Sequence, residues 1–315
     1  MKAALVTAFD TPPCWSDVQE PVAAEPHEMV VEVVAAGLHP RVRSQADGSH
    51  YTSTDELPLV PGIDGVGRGP DGVLRYFVLG DTRLGSMAER TVIDVRRSVA
   101  LPEDADPIAV AAAANPVMSS WIALRQRTTM PVPASVLVLG ATGNAGRMAV
   151  QVARHLGATH VVAAGRDPAR LATLPALGAD DVVTLGTADT DAELATHASA
   201  VDMVLDYVWG EPTAAAMAAL VTARPDRGVP LTWIQIGSVA GTTAPIPSAA
   251  LRAARLNLIG SGQGSVPTRD IVAELPALAA AISAGTFTVD IDAVPLGQVE
   301  QAWASEGSRR VVLMP

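Results

Sequence analysis

The sequence predicts an α/β chain built on a doubly wound parallel sheet, with a second, β-rich domain assembled from both termini. Three observations carry this expectation. An apolar run feeds three glycines spaced three apart and then a helical pattern; further apolar runs alternate with alanine-rich helical stretches; short period-two strands are confined to the two ends of the 315 residues. A chain of this length predicts about two domains, set here at 1–114 with 264–315 for the β-rich domain and 115–263 for the α/β domain.

From the start, Met1-Lys-Ala-Ala-Leu-Val-Thr-Ala-Phe soon meets Asp10 and reads as a first strand rather than a signal peptide. Met29-Val-Val-Glu-Val-Val-Ala-Ala follows as a longer strand, and Pro61-Gly62 marks a turn. Residues 135–146, Ser-Val-Leu-Val-Leu-Gly-Ala-Thr-Gly-Asn-Ala-Gly, then join strand, tight turn and helix start, the arrangement that cradles a dinucleotide pyrophosphate. Gly140 permits the turn, Gly143 lets backbone approach the phosphates, and Gly146 lets helix and strand pack closely. Thr142, Asn144 and Ala145 complete this candidate cofactor-binding turn, with helix N-terminal amides facing the anion.

The next apolar run, His160-Val-Val-Ala-Ala, ends where such folds read the adenosine ribose. An NAD site would normally place a carboxylate at the strand end; Gly165 stands there instead, with Arg166 and Arg170 close behind. Guanidiniums suit a 2′-phosphate through charge-assisted, often bidentate hydrogen bonds, so NADPH is the expected cofactor. Asp167 leaves a second role open, as either a ribose acceptor or a cap for a helix beginning at Pro168. Four more runs begin at Asp181, Val201, Leu231 and Leu256. Near-continuous apolar strands argue for a parallel sheet covered on both faces, and ligands bind at the carboxyl ends of its strands. Val208, Trp209, Gly237, Ser238, Gly262 and Gln263 are therefore candidate cofactor neighbours. The tail returns to short elements, Phe287 to Gly297 and a final Arg310-Val-Val-Leu-Met.

Composition narrows the function. With 33 acidic against 22 basic residues the formal charge is −11, a surface that repels phosphate backbones, so no nucleic-acid partner is expected. No uninterrupted apolar run approaches about 20 residues, and no membrane association is expected. The lone Cys14 excludes an intramolecular disulfide and a multi-cysteine metal cage. A reducing cytoplasm is the expected compartment.

The motifs in their order resemble the medium-chain dehydrogenase/reductase superfamily, in particular its zinc-free quinone-oxidoreductase-like branch. They are the Met1-Lys-Ala opening, Gly37-Leu38-His39-Pro40, Pro61-Gly62-Ile63-Asp64-Gly65-Val66-Gly67, the glycine turn at Gly140, Val201-Asp-Met-Val-Leu-Asp and Ile236-Gly237. The resemblance runs essentially end to end. It implies a GroES-like substrate domain, a Rossmann domain with NADPH in the cleft between them, and a homodimer assembled through edge strands of the Rossmann sheets. Where the alcohol-dehydrogenase branch has a zinc-ligating cysteine this chain has His39, and where that branch has a histidine-glutamate pair it has Ile63 and Asp64. His39 could ligate; Ile63 cannot. A third ligand has no counterpart near Asn115 to Trp121, so no metal is expected.

Without a metal, the chemistry implied is hydride transfer from NADPH to a carbon whose arriving charge is delocalised, as in a quinone or an α,β-unsaturated carbonyl. The resemblance places a product-protonating tyrosine in a Gly-x-Tyr element; here the spacing is Gly48-Ser49-His50-Tyr51, one residue longer, so His50 and Tyr51 are both candidate donors. His39 is a third catalytic candidate, able to hydrogen-bond substrate or nicotinamide ribose, with a buried structural histidine as the other reading. Arg41 and Arg43 read as substrate-carboxylate anchors or surface charges. Ser119 matches a hydroxyl that approaches the nicotinamide in the family, and Met118 is a candidate substrate-pocket wall. Two other readings stand beside this one: an enoyl-thioester reductase, and a non-catalytic NADP-binding redox sensor.

Overall fold

The computed structural model describes residues 1–80, 82–129, 134–305, 307 and 309–315. The chain divides into two compact units, Met1–Asn115 with Val272–Pro315, and Pro116–Ile271.

The first unit is β-rich. Its strands are β1 (Lys2–Leu5), β2 (Cys14–Asp17), β3 (Glu28–Gly37), β4 (Asp64–Arg68), β5 (Leu74–Val78), β6 (Arg90–Asp94) and β7 (Ser98–Ala100), with helix α1 at Pro40–Ala46. Strand β3 alternates buried Val31 and Val33 with exposed Glu32, the period-two signature of a half-buried strand. Helix α2 (Pro107–Gln126) begins in this unit and ends in the next. By length and composition α2 is apolar enough to cross a membrane, although Asn115, Pro116, Ser119 and Ser120 interrupt its apolar run; 67% of its most apolar 18-residue window is buried inside the protein, as for a core helix.

The second unit is the doubly wound sheet. Its elements are β8 (Ala134–Leu139), α3 (Asn144–His155), β9 (Ala158–Gly165), α4 (Pro168–Leu171), β10 (Asp181–Thr184), α5 (Thr190–Ala198), β11 (Met203–Asp206), α6 (Gly210–Ala223), β12 (Leu231–Gln235), α7 (Ala250–Ala253) and β13 (Leu256–Gly260). All six strands are parallel in the order β10-β9-β8-β11-β12-β13, which reverses direction between β8 and β11. Ligands bind at such a switch point. The runs are continuous because both faces are covered: on one, Leu137, Leu139, Val162, Val204 and Trp233 share a core with Leu194, Met217 and Leu220 of α5 and α6, and the alternate positions Val136, Val138, Val161, Ala163 and Leu205 are buried as completely. Each fully buried aliphatic side chain contributes about 1.5–3 kcal/mol.

Helix α8 (Thr268–Ser283) leads back to the first unit, where β14 (Ile291–Pro295), α9 (Val299–Ala304) and β15 (Arg310–Met314) complete the larger β sheet in the order β14-β15-β3-β4-β5-β7, with β6 pairing β3. The C-terminal strand thus pairs directly with β3, Val312 opposite Gly37.

Candidate coenzyme site

In the second unit, β8 ends in a turn that only glycine can make. Gly140 lies at φ +88°, and its N–H and that of Ala141 both donate to the Ala164 carbonyl at 2.9 Å, tying the turn to β9. A Cβ on Gly146 would fall 2.2 Å from the Gly140 carbonyl oxygen, so the first turn of α3 rests against bare backbone. Gly143 is exposed and supplies no side-chain cap; the amides of Asn144, Ala145 and Gly146 open the twelve-residue helix α3 with no capping oxygen. Unsatisfied amides at the positive end of a helix dipole are an anion cradle. A pyrophosphate therefore fits the residues present.

Thr142 closes the cradle toward β9: a Cβ on Gly165 would meet its Cγ2 at 2.5 Å. Immediately beyond, Arg166 is exposed and Arg170 half-buried, both at the start of α4. The open question at Asp167 has a structural answer: its carboxylate caps α4, accepting from the Arg170 N–H at 3.1 Å, with Pro168 in the first turn.

The loops after β11 and β12 are stitched together. The Asp206 carboxylate, fully buried, accepts from the amides of Val208 and Trp209 at 2.8 and 3.0 Å and from Thr213 Oγ1 and Trp233 Nε1 at 2.8 and 2.9 Å. The Ala240 N–H donates to the Val208 carbonyl at 2.9 Å, and a Cβ on Gly237 would strike the Tyr207 carbonyl at 2.8 Å. This framework holds Trp209 at φ +55° and ψ −168°; among the described residues it is the one non-glycine residue with positive φ. Such a conformation costs about 1–3 kcal/mol and persists only where its surroundings over-determine it. Ser238 is exposed at the loop tip. Ser119 donates to the Pro116 carbonyl at 2.8 Å and lies 3.0 Å from the Tyr207 hydroxyl. Burial pushes the Tyr207 phenol up to about 12, so it stays a donor at neutral pH. Met118 is half-buried on α2. Beyond β13, the turn carrying Gly262 and Gln263 is held by Arg127, whose guanidinium reaches the Gly260 and Ser265 carbonyls at 2.7 and 3.0 Å.

The candidates of the first unit separate into two groups. His39, at the N-cap position of α1, is buried; its Nε2 is 3.1 Å from Asp64 Oδ1, while the Tyr76 hydroxyl donates to Asp64 Oδ2 at 2.9 Å. Arg310 is buried nearby, donating from Nε to the Ala112 carbonyl at 3.2 Å. Burial holds the His39 imidazole below its ordinary range, against the pull of Asp64, and raises Tyr76 well above its own. Burial lowers Arg310 to about 10 although Asp64 opposes the shift. His39 is thus a buried partner of Asp64, and its Nδ1 finds no hydrogen-bond partner among the described residues.

His50 and Tyr51 instead sit on a surface loop, their rings stacked at 4.2 Å, with Tyr51 72% exposed. Arg41 donates to Thr52 Oγ1 at 2.8 Å, and His50 Nδ1 lies 2.9 Å from the same oxygen, so Arg41 braces this loop. Arg43 is half-buried: it donates to the Trp303 carbonyl at 2.6 Å and lies over its ring at 5.2 Å, fastening α1 to α9. Ile63 is buried, and among the described residues no three His, Cys, Asp or Glu side chains gather to hold a metal.

Sequence reasoning named neither Asp206 nor Tyr207 nor Arg127 as functional. Only Asp206 carried a readable signal, a lone carboxylate closing an apolar run four residues before Gly210.

The family model described as zinc-binding dehydrogenase matches residues 145–281. The chain is similar over its full length to a probable NADPH-dependent quinone reductase, tdiC, of Emericella nidulans, with 32% identity covering 100% of both chains. It is also similar to a trans-enoyl reductase, pgmF, of Aspergillus terreus, at 29% identity over 69% of this chain and 64% of that one. Among solved structures, the quinone oxidoreductase of Thermus thermophilus, also crystallised with NADPH, superimposes with a TM-score of 0.83 and 27% identity over 100% of both chains.

Proposed function

This chain belongs to the medium-chain dehydrogenase/reductase superfamily, in its quinone-oxidoreductase-like branch, and is an oxidoreductase; from that premise we propose that it transfers hydride from NADPH to a quinone or an α,β-unsaturated carbonyl without zinc. The observation that carries the coenzyme half is the pair Arg166 and Arg170, set directly beyond a glycine cradle while Asp167 is committed to capping α4. NADPH, when bound, supplies the hydride. The amides opening α3 would hold its pyrophosphate, the two guanidiniums its 2′-phosphate, and the strand-end residues Val208, Gly237, Ser238, Gly262 and Gln263 its remaining length. A conjugated acceptor spreads the arriving charge onto its oxygen, so a proton donor suffices where a lone ketone would need a Lewis acid. His50, half-buried, and the exposed Tyr51 stacked on it are the proposed donors. The pairing of His39 with Asp64 favours a positioning role for His39.

The similarity to a trans-enoyl reductase favours one further acceptor, an enoyl thioester, reduced by the same hydride addition to a conjugated carbonyl. Strand β13 is a sheet edge with Leu258 exposed, which supports a homodimer formed there. The free thiol of Cys14 supports a reducing compartment, the cytoplasm. The test is product analysis: chelator-treated protein, NADPH and an enone should give the saturated ketone. Activity only on simple alcohols, and only after zinc is added, would overturn the proposal.

A further inference from the structure

Trp209 is held by contacts that do not involve its side chain: Asp206 fixes its amide, Ala240 fixes the carbonyl of Val208 before it, and Gly210 after it approaches the Ala240 carbonyl to within 2.9 Å of where a Cβ would stand. Glycine would satisfy every one of them without strain, because the region of φ and ψ is glycine's own. What the tryptophan adds is its ring. Trp209 lines an open cavity of about 450 Å³ at the carboxyl ends of β12 and β13, together with Gln235, Ser238, Thr242, Leu258, Ile259 and Gly260. The volume falls within the range of small-molecule sites, about 300–1,000 Å³, and the lining residues are of two kinds, apolar Trp209, Leu258 and Ile259 and polar Gln235, Ser238 and Thr242.

We propose that this cavity is a subsite for a planar aromatic ring system, stacked on the Trp209 indole, with a ring oxygen hydrogen-bonded by Thr242. Identifying the ring as part of the hydride acceptor, a fused-ring quinone, rests on the reductase function proposed above. Offset stacking rewards a flat fused ring over an aliphatic enone. The subsite makes Trp209 a determinant of acceptor choice rather than of coenzyme choice.

Three variants separate ring from strain: Trp209→Gly removes both, Trp209→Ala removes only the ring, and Trp209→Phe keeps a ring. Calorimetric binding of the redox-inert 1,4-dimethoxynaphthalene is measured beside steady-state kinetics with 1,4-naphthoquinone and NADPH. Trp209→Gly and Trp209→Ala should both weaken the naphthalene probe on the order of 10-fold and raise the quinone KM in step, the loss falling on KM rather than kcat. Trp209→Phe should stay within about threefold of the parent. No binding of the probe to the parent protein, unchanged affinity in the ringless variants, or a matching loss of NADPH affinity would overturn the assignment. So would a shift from dimer to monomer with probe affinity unchanged, since the ring would then serve a second copy of the chain. Because the probe needs no turnover, failure of the reductase proposal with every acceptor would leave the binding result decisive for the subsite.

Discussion

The glycine turn of the α/β unit and the His39-Asp64-Tyr76 cluster of the β-rich unit are both built around polar groups out of water, by opposite means. The turn is made of backbone: its positions are defined by side chains that are missing, and Gly140 and Gly146 each occupy torsions or space no Cβ tolerates. The cluster is made of side chains drawn from β4, β5, β15 and the start of α1, with Asp64 bonded on both oxygens and Arg310 close enough to feel its charge. A backbone site is written within a dozen consecutive residues. A side-chain site exists only once distant strands pair, and its groups are tuned by burial rather than by residue type.

That contrast can be broken most severely at Gly146. Gly146→Val sets its Cβ against the Gly140 carbonyl, which cannot move aside as a side chain would, so a loss of at least about 3 kcal/mol is expected in urea unfolding, together with loss of calorimetric NADPH binding. A fully stable, NADPH-binding variant would mean that the turn is not backbone-made. In the cluster, Asp64→Ala leaves Arg310 buried without its compensating charge and the Tyr76 hydroxyl without its acceptor; about 3 kcal/mol is the expected cost, measured the same way.

Smaller effects sharpen the comparison. Arg166→Ala with Arg170→Ala should weaken NADPH by about 100-fold and NADH by less than about threefold, as two charged hydrogen-bonding groups facing a phosphate would. Equal losses for both coenzymes would move the 2′-phosphate elsewhere. For His39, burial depresses the folded imidazole below its ordinary 6.5. The unfolded chain therefore binds the proton first on acidification, and stability held above pH 6.5 is lost as pH falls toward the folded value, by up to about 1.4 kcal/mol per pH unit. His39→Gln should flatten that part of the stability-pH curve; an unchanged slope would assign it to another group. Smallest, Asp167→Ala should cost about 1 kcal/mol by uncapping α4, with NADH affinity unchanged. A sharp drop in NADH affinity would return Asp167 to the ribose.

The same division governs what the sequence made legible. The runs at His160, Asp181, Val201, Leu231 and Leu256 become β9 to β13: the inner strands β9, β11 and β12 are apolar because both their faces are covered, while the edge strands β10 and β13 leave Val182 and Leu258 exposed. The N-terminal alternation around Met29 becomes β3 for the complementary reason. Pairing across sequence distance left no local trace: nothing near Arg310 shows that β15 joins β3, nothing near Arg43 points to Trp303, and nothing near Arg127 points to the Gly260 carbonyl. The strain at Trp209 was equally invisible, since it depends on Asp206 at the end of β11 and Ala240 in the loop after β12 fixing the peptides around it. On the Gly48-to-Ser53 loop, residue types suggested donors, but only the structure shows Arg41, His50 and Thr52 bracing it while Tyr51 faces outward.

The most direct measurement is the initial rate of NADPH oxidation by chelator-treated protein with 1,4-naphthoquinone, NADH being run in parallel. Saturable, metal-independent turnover that strongly prefers NADPH is the expected result. Tight NADPH binding with no turnover of this quinone or of an enone would contradict the reductase function and leave a coenzyme-binding protein without hydride transfer.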